Sequence, residues 1–492
     1  MPAAAAIRGF DKEGLTWDEL GVVEASNPFG KEALVFYSDL GSLQSRVAHA
    51  RQTEDLYFAT LLPRETIAAA FGKAGGILDR ARVYVTSVTV WVFLSQVLSK
   101  DHGCVAAVAK LIVYRVARGL AACCAETGAY CIARDKLDEQ AMHRLLTYTG
   151  QAIEEQAPDA WLWLGHRVLT ADGTTVTMAD TEANQAAYPQ QRSQAPGCGF
   201  PIMRMVVFFA LSTGVVLETA MGKYRGKLTH EVSLFREIDA CIEDNDVFLA
   251  DRAYAGWFDM ARLMTRGAHV VVRKHHLRKS DFRTGRRLDH DDHIIRLAKP
   301  PRPKWMSKEE YQDYPASIEL REVRIRVQQK GFRTREIIVH TSLLDDVEYS
   351  KEDIAALFRR RWQAELHLRS LKTVMQMEHL RCKKPHRVRN EVRAHMIAYN
   401  LIRQVMSEAA SHAGVQPWQI SFKGAMTTLM EMLPVLGMIR DPTDLCCVLL
   451  SCCQQHHVGD RPDRYEPRVI KRRPKPYKLM QKPRRHYKPG EA

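Results

Sequence analysis

The sequence predicts an α/β fold built around a sheet that carries acidic residues at its edge. Between residues 161 and 276, short apolar runs and amphipathic segments follow one another in the order β-β-β-α-β-α-β. Two of the apolar runs end in aspartate, "VLTAD" at Asp172 and "VFLAD" at Asp251. Active sites of α/β sheets collect where buried strands end, so the pattern indicates a catalytic core. The alternative role for each aspartate is a turn or a helix cap.

The size and charge of the chain limit the classes of function. Its 492 residues suffice for several domains, and the net charge of +14 favours polyanionic partners, nucleic acid first. The start of the chain lacks the apolar segment of a signal peptide. The apolar stretch Val83–Ser99 is interrupted by Thr, Ser and Gln, so it predicts a buried helix and not a membrane span. We therefore expect a cytoplasmic protein without a membrane partner.

The first half of the chain predicts a helical domain followed by the first part of the core. Residues 1–160 mix apolar periodicity with Arg and Lys, which is typical of a helical DNA-binding or structural domain. Residues 161–276 form the first part of the core, and their leading run of strands is typical of ribonuclease-H-like folds. The predicted elements are a strand at 166–172, strands at 203–213 and 214–222, a helix opened by Thr229, a strand at 246–254, a helix ended by Gly267, and a fifth strand at 268–275.

Residues 277–345 do not continue this alternation of strands and helices, and they predict a β-rich insertion. The segment begins with a charged, turn-rich stretch and continues with "KPPRPKWM", which cannot be interior helix or central strand. The later segments "IELREVRIRVQ" and "TREIIVHTSLL" alternate apolar and polar residues, so they predict two antiparallel strands.

The last part of the chain is predicted to be helical with a basic end. Residues 346–405 return to the core with two helices, and residues 406–460 form a helical C-terminal region. Residues 461–492 are rich in Lys, Arg and Pro, which predicts an extended, disordered tail. The cysteine-rich stretch "CCVLLSCCQQHH" allows a zinc site or a packed helix, and its spacing favours packing because it does not match common zinc ligand patterns.

A third acid lies on the helix "FRRRWQAELHLRSLK" of residues 358–372. At a uniform 100° per residue, Phe358, Arg361, Glu365 and Lys372 fall within about 60° of one another. A neighbouring apolar stripe seats the helix on the sheet: Leu357, Ala364, Leu368, Leu371 and Met375. An Arg361–Glu365 ion pair, worth about 0.2–0.5 kcal/mol on a helix surface, is the alternative role for this acid. Three converging carboxylates instead call for hard cations such as Mg²⁺ or Mn²⁺.

These residues resemble the DDE transposases of bacterial insertion sequences, in the insertion-sequence-four group. That group carries Y-x2-R-x3-E-x6-K around its catalytic glutamate, and this chain has the same spacing from Phe358 to Lys372 with Phe in place of Tyr. The family's "DGT" motif is matched at Asp172. Its aspartate–arginine–aromatic motif is matched from Asp251 to Tyr254.

The resemblance implies cut-and-paste transposition at terminal inverted repeats, on a ribonuclease-H-like core. It implies two Mg²⁺ ions, replaceable by Mn²⁺, held by Asp172, Asp251 and Glu365. The implied partner is double-stranded DNA, from the transposon ends and the target, bound by a homodimer at the bacterial nucleoid. The implied DNA-binding residues are Phe358, Arg361, Lys372, Arg252 and Trp305. The alternatives are a DNA-binding protein that has lost catalysis and a nuclease of the same fold without strand transfer.

Trp305, and the pair His230 and Glu231, each have two candidate roles. The resemblance implies that Trp305 in the insertion stacks an extruded base, which an aromatic face can do; the alternative is that it packs beneath the proline-rich loop. His230 and Glu231 open the helix before Asp251. They are expected either to support the site from outside the ligand set or, for Glu231, simply to start the helix.

Overall fold

The computed structural model describes residues 42–52, 57–73, 83–226, 229–326, 336–436, 443–459 and 480–487. The first part of the predicted helical domain and most of the predicted disordered tail lie outside the described residues.

The architecture is mixed α/β, with one central sheet and helices on both of its faces. The sheet has ten strands in the order β3-β2-β1-β4-β5-β9-β8-β7-β6, and β10 pairs with β1. The strands are β1 Val168–Met178, β2 Ile202–Ala210, β3 Val216–Lys223, β4 Val247–Ala250, β5 His269–Arg273, β6 Arg286–Asp289, β7 Asp292–Ala298, β8 Ser317–Arg326, β9 Glu336–Thr341 and β10 His379–Leu380.

Strand direction divides the sheet into a core and an extension. The strands β1, β2 and β3 are antiparallel neighbours, while β4 and β5 run parallel to β1. The predicted β-rich insertion does form antiparallel strands, as expected for β8 and β9. Its last strand also pairs with β5, through Val271–Arg273 and Val339–Thr341. The insertion therefore continues the core sheet and does not form a separate one.

The helices are listed in chain order: α1 Leu43–Gln52, α2 Arg64–Phe71, α3 Thr86–Val97, α4 Cys104–Ala117, α5 Gly128–Asp135, α6 Glu139–Glu155, α7 Glu182–Ala187, α8 Glu231–Ile238, α9 Trp257–Thr265, α10 Lys308–Asp313, α11 Lys351–Arg360, α12 Trp362–Arg369, α13 Pro385–Ala413, α14 Phe422–Leu436 and α15 Thr443–Gln455. The stretch Val83–Ser99 contains the almost wholly buried helix α3, as predicted. None of the helices in the described ranges is long and apolar enough to cross a membrane. Two cysteines of α15, Cys446 and Cys453, are fully buried in the core, which agrees with the packing interpretation.

Alternating residues of the strands build two different cores. On β2, Met205 and Val207 pack with the N-terminal helices, α12 and α13, whereas Val206 and Phe208 pack on the opposite face with α8 and α9. A third cluster lies over β4, β5 and β9, where α11 covers the sheet. The helices of the N-terminal and C-terminal regions share the first of these cores, so they pack as one layer on the sheet.

Several predictions of individual elements are wrong. The strand predicted at 246–254 ends at Ala250, and a 3-10 turn follows at Arg252–Tyr254. The first strand does not end at Asp172 but runs on to Met178, because β2 pairs with it as far as Thr177. The helix expected to open at Thr229 begins at Glu231, and the Thr229 hydroxyl donates to the carbonyl of Gly226 instead. The hairpin of β6 and β7 was not predicted, because its alternation is masked by charged residues that are paired in the structure.

The predicted catalytic helix is not a uniform α-helix. The N–H of Arg361 bonds the carbonyl of Phe358, which separates α11 from α12, and a π-helical turn follows at Ser370–Val374. A constant 100° step therefore does not hold as far as Lys372. The apolar stripe is confirmed nevertheless, since all of its members are buried: Leu357, Ala364, Leu368, Leu371 and Met375.

The extension of the sheet has a buried polar network of its own. Glu322 on β8 accepts hydrogen bonds from His340 Nε2 at 2.9 Å, His293 Nε2 at 2.9 Å and Ser280 Oγ at 2.8 Å. Burial alone would raise the pKa of Glu322, but these three hydrogen bonds outweigh it and lower the pKa to about 2. The carboxylate is therefore charged throughout the neutral range, and its partners fix the strands β7, β8 and β9 together.

Glu322→Gln should lower the free energy of unfolding by about 2–4 kcal/mol at pH 7, because two imidazole donors lose a charged acceptor. A carboxyl whose folded pKa is depressed adds stability above its unfolded pKa of about 4.3 and loses it as the pH falls towards 2. In urea unfolding, the difference in free energy of unfolding between the wild type and the variant should therefore be smaller at pH 3 than at pH 5. The matched control is Glu319→Gln on the same strand, whose exposed pair with Arg296 should contribute less than about 1 kcal/mol. An equal deficit at both pH values would contradict this.

Candidate active site

The register of two parallel strands brings the two predicted aspartates together. Thr170 of β1 pairs with Leu249 of β4, and continuing that register by two residues places Asp172 opposite Asp251. Asp251 follows β4 directly, and its backbone is still extended. Because aligned residues of adjacent strands point to the same side of a sheet, the two carboxylates share one face.

The helix that carries Glu365 covers that same face. Val168 and Leu249, which precede the aspartates at even spacing, pack in one cluster with Leu357 and Phe358 of α11. Glu365 lies on the next helix, α12, and its charge acts on Asp172 together with that of Arg361. The structure therefore places all three predicted acids at one edge of the sheet.

Each aspartate is held by the backbone of the residue that follows it. Asp172 Oδ1 accepts a hydrogen bond from the N–H of Gly173 at 2.9 Å. Asp251 Oδ1 accepts one from the N–H of Arg252 at 2.7 Å. These bonds fix one oxygen of each carboxylate and leave the other oxygen available to a ligand.

The site carries more negative charge than its own cations neutralise. Burial, together with the negative charges of Glu231 and Glu365, raises the pKa of Asp172 to about 6, and the N–H of Gly173 and the charge of Arg361 only partly oppose this. A cation at this position would relieve the repulsion, and carboxylate oxygens are the donors that Mg²⁺ and Mn²⁺ prefer. The residues present thus fit a divalent cation.

The three acids are neighbours but not a closed ligand set. Among the described residues, no group of three or more His, Cys, Asp and Glu side chains is arranged to hold a metal ion. Glu365 Oε1 instead accepts from Arg361 Nη2 at 3.1 Å, so the predicted ion pair is present. The side chain of Glu365 is 37% exposed, so it has room to turn towards the aspartates. Ligation by all three acids stays a prediction.

A buried hydrogen-bond chain anchors the helix of Glu365. The hydroxyl of Tyr399 on α13 donates to the carbonyl of Gly214 at 2.9 Å and lies 2.9 Å from His367 Nδ1. Since the hydroxyl has one proton, His367 must donate from Nδ1. Burial lowers the pKa of His367, as does the charge of Arg403, so the ring is neutral. The chain fixes α12 to the β2–β3 turn, two residues beyond Glu365.

The predicted DNA-binding residues differ in exposure. Arg252 is exposed beside Asp251, and Arg361 and Lys372 are half-buried near the edge of the sheet. Phe358 is 6% exposed and packs in the core under α11, so its ring is covered by the protein in this structure, and its DNA-binding role stays a prediction. An aromatic ring at this position is an apolar anchor for the helix.

Trp305 combines features of both roles considered for it. Its side chain is 39% exposed, which leaves part of the ring accessible. The guanidinium of Arg236 lies 3.7 Å from the ring centroid, and Phe258 meets the ring at 88°. One face is therefore covered by a cation, which is itself held by Asp259. Stacking of a base on Trp305 stays a prediction.

The contact between Glu231 and Tyr254 was not predicted from the sequence. Glu231 begins α8 and lies next to Gly173, while its Oε1 accepts a hydrogen bond from the Tyr254 hydroxyl at 2.6 Å. The only signal in the sequence was a Tyr placed three residues after Asp251. A buried Tyr needs a partner for its hydroxyl, but the sequence does not tell which one.

Comparison with known proteins identifies the family. The model of the transposase DDE domain matches residues 163–401, which include all three acids. The chain thus carries a transposase DDE domain. The transposase of insertion sequence IS4, InsG of Escherichia coli (strain K12), is 28% identical over 430 residues, which cover 85% of this chain and 92% of the relative. This DDE transposase is thus a homologue of the IS4 enzyme.

A solved structure resembles the transposase only distantly. The piggyBac transposase, in a synaptic complex with hairpin DNA, matches with a TM-score of 0.38 and 10% identity. The match covers 80% of this chain and 84% of the other chain. A score this low carries no argument about the site.

Phe358→Ala should lower the free energy of unfolding by about 3–4 kcal/mol, because it leaves a cavity under α11. Trp362→Ala is the matched control, since that ring is 55% exposed and its loss should cost less than about 1 kcal/mol. Chemical denaturation measures both. A Phe358→Ala protein of unchanged stability but weaker DNA binding would contradict the packing role and support the predicted DNA contact.

Proposed function

We propose that this transposase cuts and joins DNA at the terminal inverted repeats of its insertion sequence, by metal-dependent phosphodiester hydrolysis and strand transfer. The single observation that carries the proposal is the shared face of Asp172, Asp251 and Glu365. Two aspartates in parallel register and a glutamate from the covering helix give oxygen donors from three separate elements.

The order and direction of the first five strands support a ribonuclease-H-like core. The antiparallel strands β3, β2 and β1 are followed by β4 and β5, both parallel to β1. The insertion between Asp251 and Glu365 extends the sheet beyond β5. In this proposal the core carries the chemistry, the extension carries Trp305, and the remaining helices support the sheet and bind DNA.

Asp172, Asp251 and Glu365 would hold the divalent cations, Mg²⁺ or Mn²⁺. A pair of such ions activates a water or a 3′-hydroxyl and stabilises the leaving oxygen of a phosphodiester. The carboxylates of the chain contribute the negative charge that recruits cations. For Glu365 to bind a cation through Oε1, that oxygen would exchange its hydrogen bond with Arg361 for the cation.

The basic side chains near the site have a separate role, which is to bind DNA phosphates. Once Glu365 turns away, the guanidinium of Arg361 is free to bind a phosphate oxygen in its planar fork. Arg252 is exposed next to Asp251, and Lys372 lies on the π-helical turn beyond α12. We assign these three side chains to the phosphates next to the cut. The family resemblance adds a homodimer that holds two transposon ends.

Glu365→Gln should abolish Mg²⁺-dependent cleavage of DNA that carries the element's ends. Mutating groups that only support metal ligands costs about 10–100-fold, so loss of a ligand should exceed about 100-fold. Binding of the same DNA, measured by fluorescence anisotropy, should survive. The control is Glu352→Gln, an exposed acid in the first turn of α11 that should cleave like the wild type.

The same assay separates the proposal from its alternatives. Cleavage that persists in Glu365→Gln would remove this acid from the ligand set. Wild-type protein that binds the ends and never cuts them, with either Mg²⁺ or Mn²⁺, would be a DNA-binding protein without catalysis. Cleavage without joining of the 3′ end to target DNA would identify a nuclease of the same fold.

A further inference from the structure

A fourth acid lies against the active site from the opposite face of the sheet. Gly173 points away from Asp172, towards α8, because neighbouring residues of a strand alternate in direction. A Cβ added at Gly173 would collide with the carboxylate of Glu231, so that carboxylate rests directly on the backbone of the strand. Only glycine leaves room for this approach.

The Glu231 carboxylate is fixed by a buried hydroxyl from the second aspartate's own turn. Tyr254 lies three residues after Asp251, is 2% exposed, and donates to Glu231 Oε1 at 2.6 Å. Its ring packs against Phe235 and Phe248, with centroids 5.2 and 5.9 Å away. The contact therefore ties the turn after Asp251 to the strand of Asp172, beyond the point where β1 and β4 stop pairing at Thr170.

A helix start alone does not explain this placement. An acid in a first helical turn interacts favourably with the helix dipole, and an exposed side chain achieves this. Glu231 instead turns under the strand, where it is half-buried and bonded to a buried Tyr.

We propose that Glu231 is a positioning residue, which acts through Asp172 and Asp251. Held by Tyr254, it keeps the two aspartates aligned and adds negative charge below the place where a divalent cation binds. The inference rests on the proposed function, since it assumes that Asp172 and Asp251 bind that cation. Groups that support metal ligands in this way alter metal affinity by about 10–100-fold when mutated.

The test measures the affinity of the full chain for Mn²⁺ alone, by electron paramagnetic resonance, without any DNA reaction. Glu231→Gln keeps an acceptor for Tyr254 but removes the charge, and it should weaken Mn²⁺ binding about 10-fold. Tyr254→Phe keeps the charge but releases the carboxylate, and it should weaken binding as well. Glu182→Gln is the matched control, an exposed acid that also begins a helix, α7, and it should bind Mn²⁺ like the wild type.

Asp172→Asn shows whether the measured ion lies at the site at all. If Asp172→Asn loses Mn²⁺ and Glu231→Gln binds it as tightly as the wild type, this inference falls while the proposed function stands. If Asp172→Asn binds Mn²⁺ unchanged, both fall. Urea unfolding accompanies each variant, and should Glu231→Gln not fold, Tyr254→Phe decides: unchanged Mn²⁺ affinity in that variant would overturn the proposal.

Discussion

The structure of the site depends on the parallel pairing of β1 with β4. That pairing is short and stops at Thr170 and Leu249, yet its register is what sets Asp172 beside Asp251. A shift of one residue would turn one aspartate to the opposite face, where α8 and α9 pack, and would separate the two charges. The buried alternation of Val168, Leu249 and their neighbours makes such a shift costly, so the apolar core fixes the geometry of a charged site.

The two faces of the sheet contribute differently around this pair. On one face, α11 and α12 bring Glu365, anchored through His367 and Tyr399 to the β2–β3 turn. On the other face, Glu231 presses against Gly173. Negatively charged side chains thus lie on both sides of Asp172. The chain as a whole has a net charge of +14. The arrangement combines long-range attraction for a polyanion with local attraction for cations.

The sequence predicted the structural features that depend on the periodicity of apolar residues. It did not predict the features that depend on tertiary contacts. Strand alternation and the helix stripe at Leu357 to Met375 follow from burial, and they are confirmed. The extension of β1 past Asp172 depends on pairing with β2, which no local pattern reveals. The predicted alignment of Lys372 with Glu365 requires a regular α-helix, and the π-helical turn at Ser370–Val374 interrupts that helix. The sequence marks Tyr254 only as the aromatic residue of the motif that begins at Asp251, because only the fold brings Glu231 to its hydroxyl.

The central claim is that the acids of β1, β4 and α12 form one cation site. Anomalous scattering from Mn²⁺ in crystals of the chain bound to its end DNA tests this claim most directly. The account predicts anomalous peaks among the carboxylates of Asp172, Asp251 and Glu365, with Glu365 turned away from Arg361. Mn²⁺ peaks elsewhere, or none at this edge of the sheet in an ordered complex, would contradict it.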